Sequence, residues 1–127
     1  MAQTIEEALE KIRLRDSRFS NEAYLFVSEA LGETVRRLGR RKAPAEKRHV
    51  SGRELAEGVA DCALERFGPM TYQVFRAWGL AKTRDIGEIV YSLIDEKILA
   101  KSETDSIEDF NDVYDFRARL LAPWEAR

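Results

Sequence analysis

The sequence predicts a mainly helical protein with a small β-hairpin near its C-terminus. Three observations indicate this class: apolar residues recur at helical spacing over most of the chain, two Ser/Thr-x-x-Glu capping boxes mark helix starts, and a strand-like pattern begins only after Lys97. A length of 127 residues is typical of one domain. We therefore expect a single domain over 1–127, comprising a helical pair (1–42), a basic loop (43–50), a winged-helix-like unit (51–119) and a tail (120–127).

The first two helices are predicted between residues 4 and 39. Thr4 and Glu7 have capping-box spacing, and the apolar face that follows reaches about Arg15. A second, longer helix opens after Ser20 or Asn21 and stops at Gly39. The residues expected on its buried face are Ala23, Phe26, Val27, Ala30, Leu31, Val35 and Leu38.

Three further helices are predicted between Ser51 and Lys97. Ser51 and Glu54 form the second capping box, and the helix they open ends at Gly68-Pro69. A shorter helix runs from about Met70 to Trp78, and the last one from about Arg84 to Lys97.

After Lys97 the pattern favours a β-hairpin. Ile98–Glu103 and Val113–Phe116 have the character of short strands around an acidic turn, Thr104–Asp112. Three helices followed by a hairpin is the element order of a winged-helix domain. The expected architecture is thus two N-terminal helices packed on a winged-helix-like three-helix unit with a C-terminal hairpin.

Four segments carry a family resemblance: RHVSGRELAEGVADCALERFGPM from Arg48, WGL from Trp78, DIGEIVYSLID from Asp85 and YDF from Tyr114. They resemble a small family of uncharacterised bacterial single-domain proteins with no assigned function, and the similarity covers most of the chain. The resemblance implies a protein of similar length and brings no activity, cofactor or site residue with it.

Catalytic chemistry is not expected. Cys62 lies on the apolar stripe of its helix, where a thiol packs as a small hydrophobe, and His49 stands in a basic loop. One Cys and one His cannot assemble a zinc site, and no phosphate-binding or HExxH motif occurs. The acidic residues between Asp105 and Asp115 lack the glycine of a calcium loop. We expect no enzyme, no cofactor and no metal.

The charges divide unevenly along the chain. Residues 1–53 hold 12 Lys and Arg against 8 Asp and Glu, whereas residues 54–127 hold 9 against 15. Carboxylates on the last helix and the predicted wing would repel phosphates. The preferred hypothesis is a non-enzymatic interaction module whose acidic face binds a basic protein or the basic patch of another copy. Its candidate contact residues are Glu88, Tyr91, Asp95, Glu108, Asp109 and Trp124.

The alternative hypothesis is a nucleic-acid-associated regulator held through a basic patch between Arg36 and Arg53. Without aromatic residues the patch would bind the RNA or DNA backbone only, and salt would weaken the contact. A solvated surface at a helix C-terminus explains the same charges. The candidate phosphate contacts are Arg36, Arg37, Arg40, Arg41, Lys42, Lys47 and Arg48.

A cytoplasmic location without a membrane partner is expected. No apolar run approaches the roughly 20 residues that span a bilayer, and the N-terminal segment carries acidic residues and an amphipathic pattern in place of a signal-peptide pattern. A single cysteine suits a reducing compartment.

Overall fold

The structure is a computed structural model that describes residues 3–39, 49–101 and 105–125. Its α-helices are α1 (Ile5–Arg15), α2 (Asn21–Arg37), α3 (Gly52–Phe67), α4 (Thr71–Ala77) and α5 (Thr83–Asp95). Short 3₁₀ turns cover Gly68–Met70, Ile107–Phe110 and Ala122–Trp124, and a π-helical turn covers Arg117–Leu121. Among the described residues, no helix is both long and apolar enough to cross a membrane.

Both predicted capping boxes are confirmed. The Thr4 hydroxyl accepts a hydrogen bond from the Glu7 amide at 3.2 Å, and the Glu7 carboxylate accepts one from the Thr4 amide at 2.8 Å. Ser51 and Glu54 make the same reciprocal pair, with both bonds at 3.0 Å. Two otherwise unpaired amides are satisfied at each helix start, which explains why the sequence located α1 and α3 so closely.

One hydrophobic core receives side chains from all five helices and from the C-terminal segment. Helix α2 packs on both α3 and α5, so it belongs to the centre of the fold. Phe26, Phe67, Phe75 and Trp78 form an aromatic cluster at one end, with ring centroids 5.4 to 6.4 Å apart. In the tail, Leu120 is fully buried, while Trp124 stays 45% exposed.

Helices α2 and α3 approach each other closely at Gly58. A Cβ atom placed on Gly58 would lie 2.0 Å from Oγ1 of Thr34 and 3.1 Å from its Cβ and Cγ2. Thr34 is buried, and its hydroxyl donates to the Ala30 carbonyl at 2.7 Å. The hydroxyl therefore fills the space where a side chain at position 58 would go.

The predicted β-hairpin is wrong. The described parts of its two strands, Ile98–Lys101 and Val113–Phe116, contain no strand, and residues 102–104 lie outside the described range. A 3₁₀ turn, Ile107–Phe110, replaces the central part of the expected acidic turn. The described residues form helices and no sheet. The hairpin that would be the wing of the predicted winged-helix-like unit is therefore absent from them.

The physical reason for this correction is the docking of Phe110. Its ring is 3% exposed, and a Cβ on Gly52 or Gly87 would come within 3.0 Å of it. The Thr83 hydroxyl donates to the Phe110 carbonyl at 2.6 Å and accepts from the Val113 amide at 3.2 Å. A side-chain hydroxyl thus satisfies backbone groups that strand pairing would otherwise have to satisfy.

The close crossing at Gly58 leads to a stability prediction. Gly58→Ala should lower the free energy of unfolding by about 1–3 kcal/mol, because the added methyl group overpacks the contact with Thr34. In the double variant Gly58→Ala/Thr34→Ala much of this loss should be recovered, as urea denaturation will show.

The matched control is Gly32→Ala in α2, where a Cβ meets no atom within 4 Å. It should raise stability by about 0.5–1 kcal/mol, because alanine is the better helix former at an exposed position. Equal losses in Gly58→Ala and in the double variant would contradict the proposed overpacking.

Candidate functional site

The described residues form a cleft of about 610 Å³ between the end of α2, the start of α3, the second half of α5 and residues 99–101 and 105–110. Its volume is in the range of protein ligand sites. The walls are largely apolar and are formed by Leu31, Val35, Val50, Leu55, Val90, Ile94, Leu99 and Phe110. The polar lining comprises His49, Tyr91, Lys101, Asp105, Ser106 and Asp109.

Several cleft residues were expected in the core. Leu31 and Val35 lie on the apolar face of α2 but are only partly buried, because both line the cleft. The sequence predicts Leu99 in a strand. In the structure it belongs to irregular chain and lines the cleft. The periodicity of α2 predicts this apolar face, but it does not indicate which part of the face the other helices leave open.

The hydroxyl group of Tyr91 is buried at the cleft and lies near several carboxylates. It has no hydrogen-bond partner within the described part of the chain. Burial raises the pKa of Tyr91, and the carboxylates of Asp105, Asp109 and Glu108 raise it further. Three carboxylates of the described residues thus lie close enough to this phenol to disfavour its ionisation.

The rim carboxylates are held by local contacts. Asp109 accepts a hydrogen bond from the Ser106 amide at 3.1 Å, and Glu108 accepts one from the Ser106 hydroxyl. The latter contact lowers the pKa of Glu108, so the group stays charged. Asp105 lies 2.9 Å from Nε2 of His49. Within the described residues, neither Glu108 nor Asp109 forms an ion pair with a cation.

The predicted protein-contact residues are only partly brought together. Tyr91 and Asp109 line the cleft, and Glu108 adjoins it in the chain. Glu88 lies one turn from Tyr91 on α5, but Arg84 and Arg18 stand 3.5 and 3.6 Å from its carboxylate. Asp95, four residues after Tyr91, is exposed at the end of α5. Trp124 stands in the C-terminal 3₁₀ turn and is not part of the cleft lining.

The predicted phosphate contacts are less available than the sequence suggests. Arg36 pairs with Glu33, and Arg37 pairs with both Glu33 and Glu65. These guanidinium groups lower the pKa of Glu33 to about 2. Two of the seven cations are thus compensated within the chain. The other five, Arg40, Arg41, Lys42, Lys47 and Arg48, lie outside the described residues.

Cys62 and His49 occupy different surfaces. Cys62 is partly buried beside Arg37 and Glu65 in a shallow depression of about 460 Å³, whereas His49 lines the cleft. Burial raises the pKa of the Cys62 thiol, which disfavours the reactive thiolate. Among the described residues, no group of three His, Cys, Asp or Glu side chains could hold a metal ion.

No family model, curated protein or solved structure matches this chain. The resemblance to a small bacterial family therefore stays a prediction.

Removal of the hydroxyl group should change the free energy of unfolding differently at Tyr91 and at Tyr114, which are both partly buried. Tyr91→Phe should leave the free energy of unfolding unchanged or raise it, because the removed hydroxyl has no partner and its burial has a desolvation cost. Tyr114→Phe should lower it by about 0.5–1.5 kcal/mol, because its hydroxyl donates to the Ala56 carbonyl at 2.8 Å. Urea denaturation of the two variants measures the contrast, and a clear loss in Tyr91→Phe would reveal a hydrogen bond to Tyr91.

Proposed function

We propose that this protein is a non-enzymatic interaction module that binds a basic and partly apolar segment of another protein in the cleft. The observation that carries the proposal is an apolar cleft with Asp109 in its lining and Glu108 next to it in the chain, two carboxylates that form no ion pair within the described residues. Such a site combines apolar surface with carboxylates, and Lys101 and His49 belong to the same lining.

The two parts of the site contribute differently to binding. An apolar side chain that leaves water for the cleft gains about 25 cal/mol for each Å² that it buries. Carboxylates at a solvated rim add little affinity, but they accelerate encounter with cations and disfavour anionic partners. The favoured partner segment therefore carries Leu, Ile or Met beside Lys or Arg.

Nucleic-acid association is the less supported alternative. The carboxylates around Tyr91 oppose a phosphate backbone, and Arg36 and Arg37 are already paired with glutamates. This alternative depends on residues 40–48, outside the described range. A cytoplasmic location belongs to the main proposal, since Cys62 is the only cysteine in the sequence.

Binding can be tested with two synthetic amphipathic peptides of about 15 residues, long enough for marginal helicity. Both carry leucines on one face, and the opposite face carries lysines in one peptide and glutamates in the other. We expect the lysine peptide to bind and to shift the amide resonances of residues around Tyr91 in an NMR titration. Its affinity should fall between about 50 mM and about 0.5 M salt, because the rim charges are screened.

Three variants assign the binding to the cleft. Val35→Glu should abolish binding of the lysine peptide, because it places a charge on the apolar wall. Glu108→Gln/Asp109→Asn should weaken it by about two- to tenfold, as expected for two exposed charge pairs. Glu22→Gln, which removes one carboxylate from α2 away from the cleft, is the control and should leave binding unchanged. Equal affinity for both peptides, or binding of generic RNA in place of the lysine peptide, would refute the proposal.

A further inference from the structure

Leu14 is the most exposed of the large apolar residues among those described. It stands in the last turn of α1 and is 90% exposed, whereas Leu9 and Ile12 of the same helix are buried. The core therefore does not account for a leucine at this position. The next most exposed side chain of this kind, Met70, is 56% exposed.

The charged residues next to this leucine are mainly cations, and Glu10 lies one turn before it on the same face of α1. Lys11 lies one turn before Leu14 on the same face of α1, and Arg13 and Arg15 are its neighbours in the chain. Arg15 is paired with Glu96 at 2.8 Å. Lys11 and Arg13 are exposed and form no ion pair with the described part of the chain, although Arg13 donates to the Asn21 side chain at 3.3 Å.

The end of α1 thus combines an apolar side chain with positive charges, as proposed for the partner segment of the cleft. It offers one exposed leucine beside Lys11 and Arg13, and the cleft offers an apolar surface beside Glu108 and Asp109. None of these four charged groups forms an ion pair within the described residues. Since Leu14 is almost fully exposed, it does not lie in the cleft of its own chain. Opposite charges beside apolar side chains on two different surfaces of one molecule favour association between unlike surfaces of two copies.

We propose that Leu14 of one copy occupies the cleft of a second copy, with Lys11 and Arg13 facing Glu108 and Asp109. This inference rests on the proposed function and names its partner as a second copy of this chain. The contact surface is small, so association is weak and requires concentrations on the order of 1 mM.

Sedimentation velocity of the full chain over a range of concentrations tests this inference. The weight-average sedimentation coefficient of the wild-type protein should rise with concentration, and about 0.5 M salt should suppress the rise. Leu14→Gln and Val35→Glu should each stay monomeric. Leu25→Gln is the matched control, because Leu25 is an exposed leucine of α2 that the inference does not use, and it should associate like wild type.

Mixing gives the decisive measurement. Leu14→Gln keeps an intact cleft and Val35→Glu keeps an intact leucine, so an equimolar mixture should associate although neither variant does so alone. If Val35→Glu loses the wild-type circular dichroism spectrum, Glu108→Gln/Asp109→Asn replaces it and should show weakened association alone. A mixture that stays monomeric, or undiminished association of Leu14→Gln, would overturn the inference.

Failure of this inference is distinguishable from failure of the proposed function. If the wild-type protein is monomeric at every concentration but binds the lysine peptide, self-association is refuted and the cleft keeps its proposed role. If Leu14→Gln loses self-association but still binds the lysine peptide, whereas Val35→Glu loses both, the assignment of the leucine and the cleft is supported.

Discussion

The insertion of Phe110 between α3 and α5 is the contact on which the candidate site depends. Gly52 and Gly87 leave room for the ring, and Thr83 binds the backbone on either side of the turn. This contact holds a segment that has no strand pairing in place against α3 and α5. Because Asp105, Glu108 and Asp109 lie within five residues before the anchor, their position at the cleft follows from it.

The arrangement of charge in the structure differs from the arrangement along the sequence. The chain is basic in its first part and acidic in its second, yet Arg36 and Arg37 are compensated by Glu33 and Glu65, one of which lies in the acidic part. Around Tyr91, by contrast, anionic groups dominate. Local pairing thus compensates Arg36 and Arg37, whereas Glu108 and Asp109 form no ion pair within the described residues, so the net charge of a stretch of sequence does not describe the surface that it forms.

The helices were predictable because their signals are local. Capping boxes and apolar periodicity act within a few residues, and they located the starts of α1 and α3. The hairpin was not predictable in the same way, since short apolar runs such as Ile98-Leu99 and Val113-Tyr114 do not distinguish a strand from an irregular chain packed on helices. Gly87 in the middle of α5 was the overlooked signal, because a glycine inside a helix often marks a close approach. The cleft itself depends on which contacts leave Leu31 and Val35 partly open, and periodicity contains no such information.

The close approach of Thr34 and Gly58 also has an evolutionary consequence. At this crossing, one position provides a hydroxyl group and the other provides the space that the hydroxyl fills. In related chains that keep the same separation of α2 and α3, the two positions should change together, so that a larger residue at 58 accompanies a smaller one at 34. Such paired variation would let the α2–α3 packing be traced through divergent sequences even where the rest of the core has been replaced.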